Sequence, residues 1–273
     1  MLMAESSQST NVSSLFGLGP KELIAVVGGG GKTSLMFSLA EELISSGRQV
    51  ITTTTTKVRL SEAALAPCEV FTGIESGWRE NLRKGILRHG HVFVAHKVLD
   101  SGKVKGIGPE VADDLYGKAF AEYLLLEADG AAGRPLKAPA EHEPVVPVST
   151  TLVIGMIGLE ALGQPLDEKF VFRPGLFEKL TGLYRGEPLN PDSLASLFQS
   201  PNGLFKGAPL SARRIAFLNK LDIRDNRQEA LDLAGRILRL KDAPVERVVV
   251  GSIKKREYLL IKQEDEGNIS KDY

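Results

Sequence analysis

The sequence contains one cysteine, Cys68, in 273 residues. A lone thiol excludes an internal disulfide, and it excludes a zinc site or an iron–sulfur cluster built from the cysteines of one chain. The chain also lacks an excess of either charge, since 34 lysines and arginines balance 34 aspartates and glutamates. Without that excess there is no broad field to attract nucleic acid or anionic lipid. We therefore expect no nucleic-acid partner, no membrane partner and a reducing, cytoplasmic location.

Long apolar runs are missing as well. No stretch approaches the roughly 20 apolar residues of a membrane-spanning helix, and the opening MLMAESSQSTNVSS lacks the basic and apolar regions of a secretion signal. With 42% apolar and 25% charged residues, the chain can nevertheless bury a sizeable core. Residues 1–19 are polar and rich in serine, which predicts a flexible N-terminal arm. Residues 20–273 are predicted to form a single α/β domain.

The first part of that domain has a strand–helix–strand pattern. Leu23 to Val27 is an unbroken apolar run of the kind found in strands buried on both faces. The segment KTSLMFSLAEELISSG has apolar residues at helical spacing, and the β-branched QVITTTTT returns as a parallel strand. Further strand candidates are HVFVAH, YLLLEA, TLVIGMIG, RIAFLNK and RVVVGS. The pattern predicts a three-layer α/β fold, with a mostly parallel sheet and helices on both faces.

A glycine-rich turn joins the first strand to the first helix. It consists of Gly28, Gly29, Gly30, Gly31, Lys32, Thr33 and Ser34. Residues without Cβ let several backbone N–H groups converge on a phosphate, and the helix N-terminus adds a partial positive charge. Lys32 is expected to reach the terminal phosphates, and the Thr33 hydroxyl is expected to ligate Mg²⁺. This context is that of a P-loop, so the expected fold is P-loop NTPase-like and the expected ligand is a nucleoside triphosphate.

The turn is shorter than the common GxxxxGK[ST] form, because it matches only GxxGK[ST] with Gly28 as the first glycine. This contraction resembles the ATP-binding loops of Mur-type amino-acid ligases. ATP therefore stays open as the nucleotide, and so does an ATP-dependent ligase or kinase acting on a small acid.

Two carboxylates end the strand YLLLEA. Glu127 and Asp129 alternate, so both can face the phosphate crevice. One is expected to hold Mg²⁺ and the other to orient the attacking group, and the sequence does not distinguish them. Thr52 to Thr56, with Lys57, end the second strand at the same edge. Alternate hydroxyls there are a weaker prediction for contact with phosphate oxygens, against the simpler interpretation of a β-branched strand.

A base-recognition element follows the strand RIAFLNK. Asn219, Lys220 and Asp222 have the NKxD spacing that recognises guanine in GTPases. A carboxylate accepts from the N1–H and 2-amino groups of guanine, which adenine lacks, and the lysine stem covers the base. Ser252, after the next strand, is expected to face the guanine carbonyl. These residues favour GTP over ATP, while an ordinary turn at Asn219 is the simpler alternative.

The proline-rich segment 134–147 is predicted to be an ordered loop after Asp129. Arg134 and Lys137 are candidates for contact with an anion, and Arg173 is another. His142 lies between two glutamates and is a weaker candidate for a metal ligand or a base.

Several stretches together resemble one protein family. They are VVGGGGKT, ITTTTTK, LLEADGAAGRPLKAPAEHEPVVP, VIGMIGLEALGQPL, RPGLFEKLTG, GLFKGAP and FLNKLD. In order and spacing, from about Leu23 to Ser252, they resemble the selenium-dependent molybdenum hydroxylase accessory proteins of the YqeC family. One position departs from the family pattern, because Phe172 stands where a histidine is expected before RPGLF, so no ligand role is assigned there.

The resemblance implies a part in maturing a molybdenum hydroxylase or its cofactor, with that hydroxylase or a cofactor-assembly protein as partner. Hydrolysis of GTP with Mg²⁺ is the expected reaction, for which Lys32, Glu127 and Asp129 are the candidate catalytic residues. A non-hydrolysing scaffold that binds nucleotide and a client protein is a further alternative.

Overall fold

The computed structural model describes residues 7–74, 76–223, 227–241 and 245–262. The strands are β1 (Ser7–Ser9), β2 (Glu22–Gly28), β3 (Val50–Thr54), β4 (Lys57–Arg59), β5 (Glu69–Phe71), β6 (His91–Ala95), β7 (Lys97–Val98), β8 (Lys103–Lys105), β9 (Tyr123–Glu127), β10 (Leu136–Lys137), β11 (Leu152–Gly158), β12 (Val171–Phe172), β13 (Arg213–Asn219), β14 (Arg247–Ser252) and β15 (Glu257–Ile261). The helices are α1 (Val12–Phe16), α2 (Lys32–Ser45), α3 (Leu60–Ala63), α4 (Trp78–His89), α5 (Pro109–Gly117), α6 (Pro174–Thr181), α7 (Pro191–Gln199) and α8 (Arg227–Leu238). A 3₁₀ turn spans Leu159–Ala161.

The main sheet has the strand order β1-β15-β14-β13-β11-β2-β9-β3-β6-β5. The strands from β14 to β5 run parallel, and β15 and β1 add an antiparallel edge. The glycine-turn strand β2 is therefore a central strand, between β9 and β11. Since parallel strands end at one edge of a sheet, the ends of β2, β3, β9, β11 and β13 converge on one crevice.

The sheet is covered on both faces, because alternate residues of β2 enter two different cores. Leu23 and Ala25 pack in the core shared with α4, α5, α7 and α8. Ile24 and Val26 pack in the core shared with α1 and α2. Adjacent side chains of a strand point to opposite faces, so helices are needed on both sides to remove β2 from water. The predicted three-layer P-loop NTPase-like fold is confirmed.

Residues 7–16 include a strand and a short helix in the segment where a flexible arm was predicted, and residues 1–6 lie outside the described residues. Strand β1 pairs with β15, and the apolar face of α1 is buried in the core. The N–H groups of Val12 and Ser13 donate to the Glu42 carboxylate, at 3.1 and 2.8 Å, which caps this short helix. The sequence signal for α1 is the helical spacing of Val12, Leu15 and Phe16, which covers only one turn.

Two small sheets were also not predicted. Strand β10 lies in the proline-rich segment, where only a loop was expected, and it pairs in parallel with β12, outside that segment. Strands β4, β8 and β7 form an antiparallel three-stranded sheet near the crevice. Strands of two or three residues are too short to show an alternating pattern. Within the described residues, no helix has the length and apolar character needed to cross a bilayer.

The packing of α1 predicts that Phe16→Ala destabilises the protein. Phe16 is fully buried and its ring meets Phe217 edge to face, with 6.0 Å between centroids. Truncating a buried phenylalanine costs about 3–5 kcal/mol. Urea unfolding should show that loss, whereas Leu210→Ala, at a residue 98% exposed, should leave the free energy of unfolding unchanged. Equal stability of the two variants would mean that residues 12–16 do not pack on the core.

Candidate functional site

The glycine turn depends on backbone conformations that favour glycine. Gly28, Gly30 and Gly31 have φ values of +98°, +80° and +118°. A Cβ on Gly30 would also collide with the backbone of Gly158 at the end of β11. Glycine is therefore required for a tight fit against the protein as well as for the turn itself.

The N–H groups of the turn fall into two sets. The first three donate to protein acceptors: Gly28 to the Asp129 carboxylate at 3.0 Å, Gly29 to the Met156 carbonyl at 2.9 Å and Gly30 to the Arg134 carbonyl at 3.0 Å. These three N–H groups are thus engaged within the protein, whereas the glycine-rich sequence predicted that they face phosphate.

The second set is open. Within the described part of the chain, the N–H groups of Gly31, Lys32, Thr33 and Ser34 have no hydrogen-bond partner. They form the first turn of α2, where unpaired donors and the helix dipole together favour an anion.

Lys32 is buried beside this turn. Its ammonium donates to the Gly28 carbonyl at 2.6 Å, and it lies 3.2 Å from Asp129 Oδ1 and 3.6 Å from Glu127 Oε1. Burial lowers the pKa of Lys32, but the charges and hydrogen bonds of Asp129 and Glu127 outweigh that effect and raise the pKa above its ordinary value. Lys32 is therefore a fixed positive charge at the end of β2.

Glu127 connects Lys32 to the helix. Its Oε2 accepts from the Thr33 hydroxyl at 2.9 Å. Burial raises the pKa of Glu127, and this outweighs the opposing effects of Lys32 and Thr33. The structure thus brings Lys32, Thr33, Glu127 and Asp129 together, as the sequence predicted for a phosphate and magnesium site.

A second lysine extends the charge cluster. The fully buried ammonium of Lys137 lies 3.3 Å from Asp129 Oδ2 and 2.8 Å from Glu143 Oε2, and Glu143 also pairs with Arg173. Burial lowers the pKa of Lys137 despite these carboxylates. Burial opposes ionisation of Glu143, yet hydrogen bonds and charges from Arg173 and Lys137 lower its pKa to about 2. Charges alternate in sign from Lys32 to Arg173.

The open N–H groups line a cavity of about 560 Å³. Glu127 and residues 130–134 form part of its wall. Its positively charged lining residues are Lys32, Lys57, Arg59, Lys103, Arg134 and Lys220. In the described ranges, no three histidine, cysteine or acidic side chains are grouped to hold a metal on their own.

The threonine hydroxyls of β3 bond within the sheet, whereas the sequence predicted that they face the crevice. Thr52, Thr53 and Thr54 are fully buried. Their hydroxyls bond to the His91 ring, the Val94 carbonyl and the Glu127 carbonyl, at 2.9, 2.7 and 2.9 Å. They link β3 to its neighbouring strands, because a parallel sheet covered on both faces leaves these hydroxyls no access to the crevice.

The predicted base element lies beside the glycine turn. The amide of Asn219 donates to the Gly30 carbonyl at 2.8 Å and accepts from the Ile253 N–H at 3.1 Å. Lys220 pairs with Glu160 and borders the cavity. Asn219 thus ties the turn to the loop after β14, and a guanine contact through its remaining amide N–H stays a prediction.

Two further residues of the base prediction have different environments. Asp222 is exposed at the surface. Ser252 is buried, and its hydroxyl accepts from the Lys255 N–H at 3.1 Å. The guanine contacts predicted for both residues stay predictions.

The candidates in the proline-rich segment have separate positions. His142 is exposed, while its neighbour Glu143 is buried in the charge cluster. Arg134 borders the cavity, and its guanidinium donates to the Glu168 and Ala132 carbonyls at 2.9 and 2.7 Å. Sequence reasoning missed Glu143 and the role of Lys137 between two carboxylates. Nothing in the spacing shows that the loop folds back on Asp129.

A glycine turn, a buried lysine and two strand-end carboxylates on this sheet define a P-loop NTPase-like protein. The chain belongs to the YqeC family, since the model of that family, described as YqeC protein, matches residues 24–175. It is also 36% identical over 232 residues to protein YqeC of Escherichia coli (strain K12), covering 85% of this chain and 87% of that protein.

Solved structures give more distant matches. FtsY from Mycoplasma mycoides is 14% identical with a TM-score of 0.39, covering 89% of this chain and 63% of that one. Hydrogenase maturation factor HypB from Archaeoglobus fulgidus is 8% identical with a TM-score of 0.41, covering 90% and 88%. The chain spans less than two thirds of the FtsY structure, and no activity is transferred from either protein.

The charge cluster predicts a pH-dependent effect of Glu143→Gln. The pKa of Glu143 is about 2 in the folded protein against an ordinary 4.5, so its ionised form adds stability that is complete above about pH 4.5. The free energy of unfolding of the variant should be about 3 kcal/mol lower at pH 7, since the substitution leaves Lys137 and Arg173 facing an uncharged amide.

Urea unfolding of both proteins between pH 7 and pH 3 measures this difference. It should shrink as the pH falls from 4.5 towards 2, because protonated glutamate resembles glutamine. A constant difference across that range would show that Glu143 is not held ionised by the two cations.

Proposed function

We propose that this protein binds a nucleoside triphosphate with Mg²⁺ in the crevice at the end of β2. The observation that carries the proposal is a set of four N–H groups, at Gly31–Ser34, that have no hydrogen-bond partner among the described residues and belong to residues lining a cavity beside the buried Lys32. The cavity, at about 560 Å³, has the size of a small-molecule site. Gly28, Gly29 and Gly30 support this turn by their own hydrogen bonds, and they belong to the proposed site as the residues that shape it.

Thr33 and Glu127 are proposed to hold the magnesium ion, with Asp129 as the alternative carboxylate. The Thr33 hydroxyl and Glu127 Oε2 are 2.9 Å apart, so two oxygen ligands of the kind that Mg²⁺ prefers are already adjacent. Asp129 is more fully engaged, since it accepts from the Gly28 N–H and lies beside two lysines. Bound Mg²⁺ would neutralise charge that develops on the phosphates.

The charge balance of the site supports an anionic ligand. In the charge cluster, three cations are matched by three carboxylates. The cations are Lys32, Lys137 and Arg173, and the carboxylates are Glu127, Asp129 and Glu143. Because this cluster has no net charge, groups outside it would have to neutralise most of the phosphate charge, in addition to Lys32. The helix terminus, Lys57 and Arg134 on the cavity wall are available for this.

GTP is the proposed nucleotide, with ATP as the alternative. Asp222 would accept from the guanine N1–H and 2-amino groups, while Lys220 would cover the base and Ser252 would face its carbonyl. Asn219 would fix the turn relative to this loop, which agrees with its bond to the Gly30 carbonyl.

Hydrolysis is the proposed reaction, serving the maturation of a selenium-dependent molybdenum hydroxylase or its cofactor. Lys32 would stabilise the phosphoryl group in the transition state. Of Glu127 and Asp129, the carboxylate that does not bind the metal would orient the attacking water. Membership of the YqeC family supports the maturation role, and a hydroxylase or an assembly protein is the proposed partner, within the cytoplasm.

One observation favours a second candidate function, an ATP-dependent ligase or kinase acting on a small acid. Residues 130–134 line the cavity next to the phosphate turn, where an acceptor could lie. ADP release that depends on an added acid would select this function. Nucleotide binding without turnover, even with a client protein present, would select the scaffold alternative.

The proposal predicts that Lys32→Ala binds nucleotide weakly. A hydrogen bond to a charged group contributes about 1.5–3 kcal/mol, so affinity for both GTP and ATP should fall about 10-fold to 100-fold. Isothermal titration calorimetry with Mg²⁺ measures this directly.

Lys137→Met is the matched control, because it removes the other lysine beside Asp129 without touching the cavity lining. It should lose stability but retain nucleotide affinity. An unchanged affinity of Lys32→Ala would contradict the phosphate site.

The proposed guanine contact predicts that Asp222→Ala loses the preference for GTP while it retains affinity for ATP. Its affinity for GTP should fall about 10-fold to 100-fold, since two donors of guanine lose their acceptor, while affinity for ATP should stay the same. Competition calorimetry separates the two nucleotides, and Asp232→Ala on the exposed face of α8 is the control. Equal losses for GTP and ATP, or no loss, would remove Asp222 from the base site.

A further inference from the structure

A second cavity adjoins the phosphate cavity. It has a volume of about 690 Å³ and lies between the end of β3, the β4–β8 strands and helices α4 and α5. Lys57 borders both cavities, whereas Trp78, His96 and Lys105 border only this one. Its size falls within the range of small-molecule sites.

The lysines here are arranged in an unusual row. In the small sheet, Lys105 of β8 lies directly opposite Lys57 of β4 on one side and Lys97 of β7 on the other. Directly opposed residues share one face of a sheet, and like charges in that position repel each other. Arg59 and Lys103 form a second opposed pair beside them.

The repulsion is not relieved by protein carboxylates. Within the described ranges, none of these five cations has a carboxylate oxygen within 4 Å. Glu110, the acidic residue on the cavity wall, lies against Gly108 at the start of its own helix, where the helix dipole stabilises it. The opposite face of the sheet buries Val58 and Val104 in a small core, which keeps the charged face outward.

We propose that this second cavity binds a phosphate-bearing small molecule, distinct from the nucleotide. An anion between Lys57 and Lys105 would relieve the repulsion in the row, and a phosphate dianion does so better than a single carboxylate. A concave site in a chain of zero net charge suits a small molecule rather than a nucleic acid or a membrane. A role as second substrate beside the nucleotide rests on the function proposed above, but the binding itself does not.

The chain provides a local probe, because Trp78 is its single tryptophan and lies on the cavity wall. Inorganic phosphate should change the Trp78 fluorescence with a saturable curve, and acetate at the same ionic strength should not. Lys105→Ala should raise the phosphate concentration at half-maximal fluorescence change at least 10-fold. Lys105→Arg should return it to the value of the unsubstituted protein. Lys179→Ala, at an exposed lysine of α6, is the control for charge alone.

Two outcomes would overturn the inference. A linear response, shared by acetate, would mean that phosphate acts only through ionic strength. A saturable response that persists in Lys105→Ala but disappears in Lys32→Ala would mean that phosphate binds at the glycine turn.

Calorimetry with Mg²⁺ and GTP on Lys105→Ala separates this test from that of the nucleotide site, since this variant should retain its nucleotide affinity. A rise in thermal stability of Lys105→Ala at low salt would verify its folding and the repulsion in the row.

Discussion

The structure depends on the pairing of Lys32 with Asp129 and Glu127 at the centre of the sheet. A buried ammonium without partners would cost several kcal/mol, so the ends of β2 and β9 must stay in register for these charges to meet. Asp129 also accepts from the Gly28 N–H, which fixes the start of the glycine turn. The Asp129 carboxylate thus positions both the Lys32 ammonium and the backbone at the start of the glycine turn.

This pairing is the first part of a longer arrangement. Lys137 and Glu143 continue it into the proline-rich segment, and Arg173 carries it to the start of α6. A buried ionic network seldom contributes more stability than well-packed apolar side chains would. Its presence at the crevice where β2 and β9 end therefore indicates a functional role. A ligand that changes the partners of Lys32 alters the charge balance at Asp129, and through Lys137 it alters the surroundings of Glu143.

Sequence periodicity was sufficient for the parts of the fold that are long and regular. The run Leu23–Val27 predicted the central strand, and the apolar spacing after Lys32 predicted α2. It was insufficient where contacts between distant segments decide the structure. Helix α1 is one turn long and is capped by Glu42, thirty residues away. The pairing of β4, β7 and β8 likewise has no alternating pattern to reveal it.

The candidate site shows the same division. The residue types around the turn predicted that Lys32, Thr33, Glu127 and Asp129 would meet, because strand ends of a parallel sheet share one edge. The hydrogen bonds of the Gly29 and Gly30 N–H groups could not be predicted, since their acceptors are the distant backbone carbonyls of Met156 and Arg134. The threonines of β3 show the opposite case. Hydroxyl side chains at the end of a strand suggested contact with phosphate, but Thr52, Thr53 and Thr54 are buried and bond to neighbouring strands.

In the proposed complex, the N–H groups of Gly31–Ser34 donate hydrogen bonds to the phosphates of a nucleotide. Backbone amide resonances measured by NMR, with and without Mg²⁺ and GTP, test it most directly. We expect large shifts and slowed hydrogen exchange at Gly31, Lys32, Thr33 and Ser34, with smaller changes at Gly28. Nucleotide binding that leaves these four amides unchanged, or no binding at millimolar GTP and ATP, would contradict it.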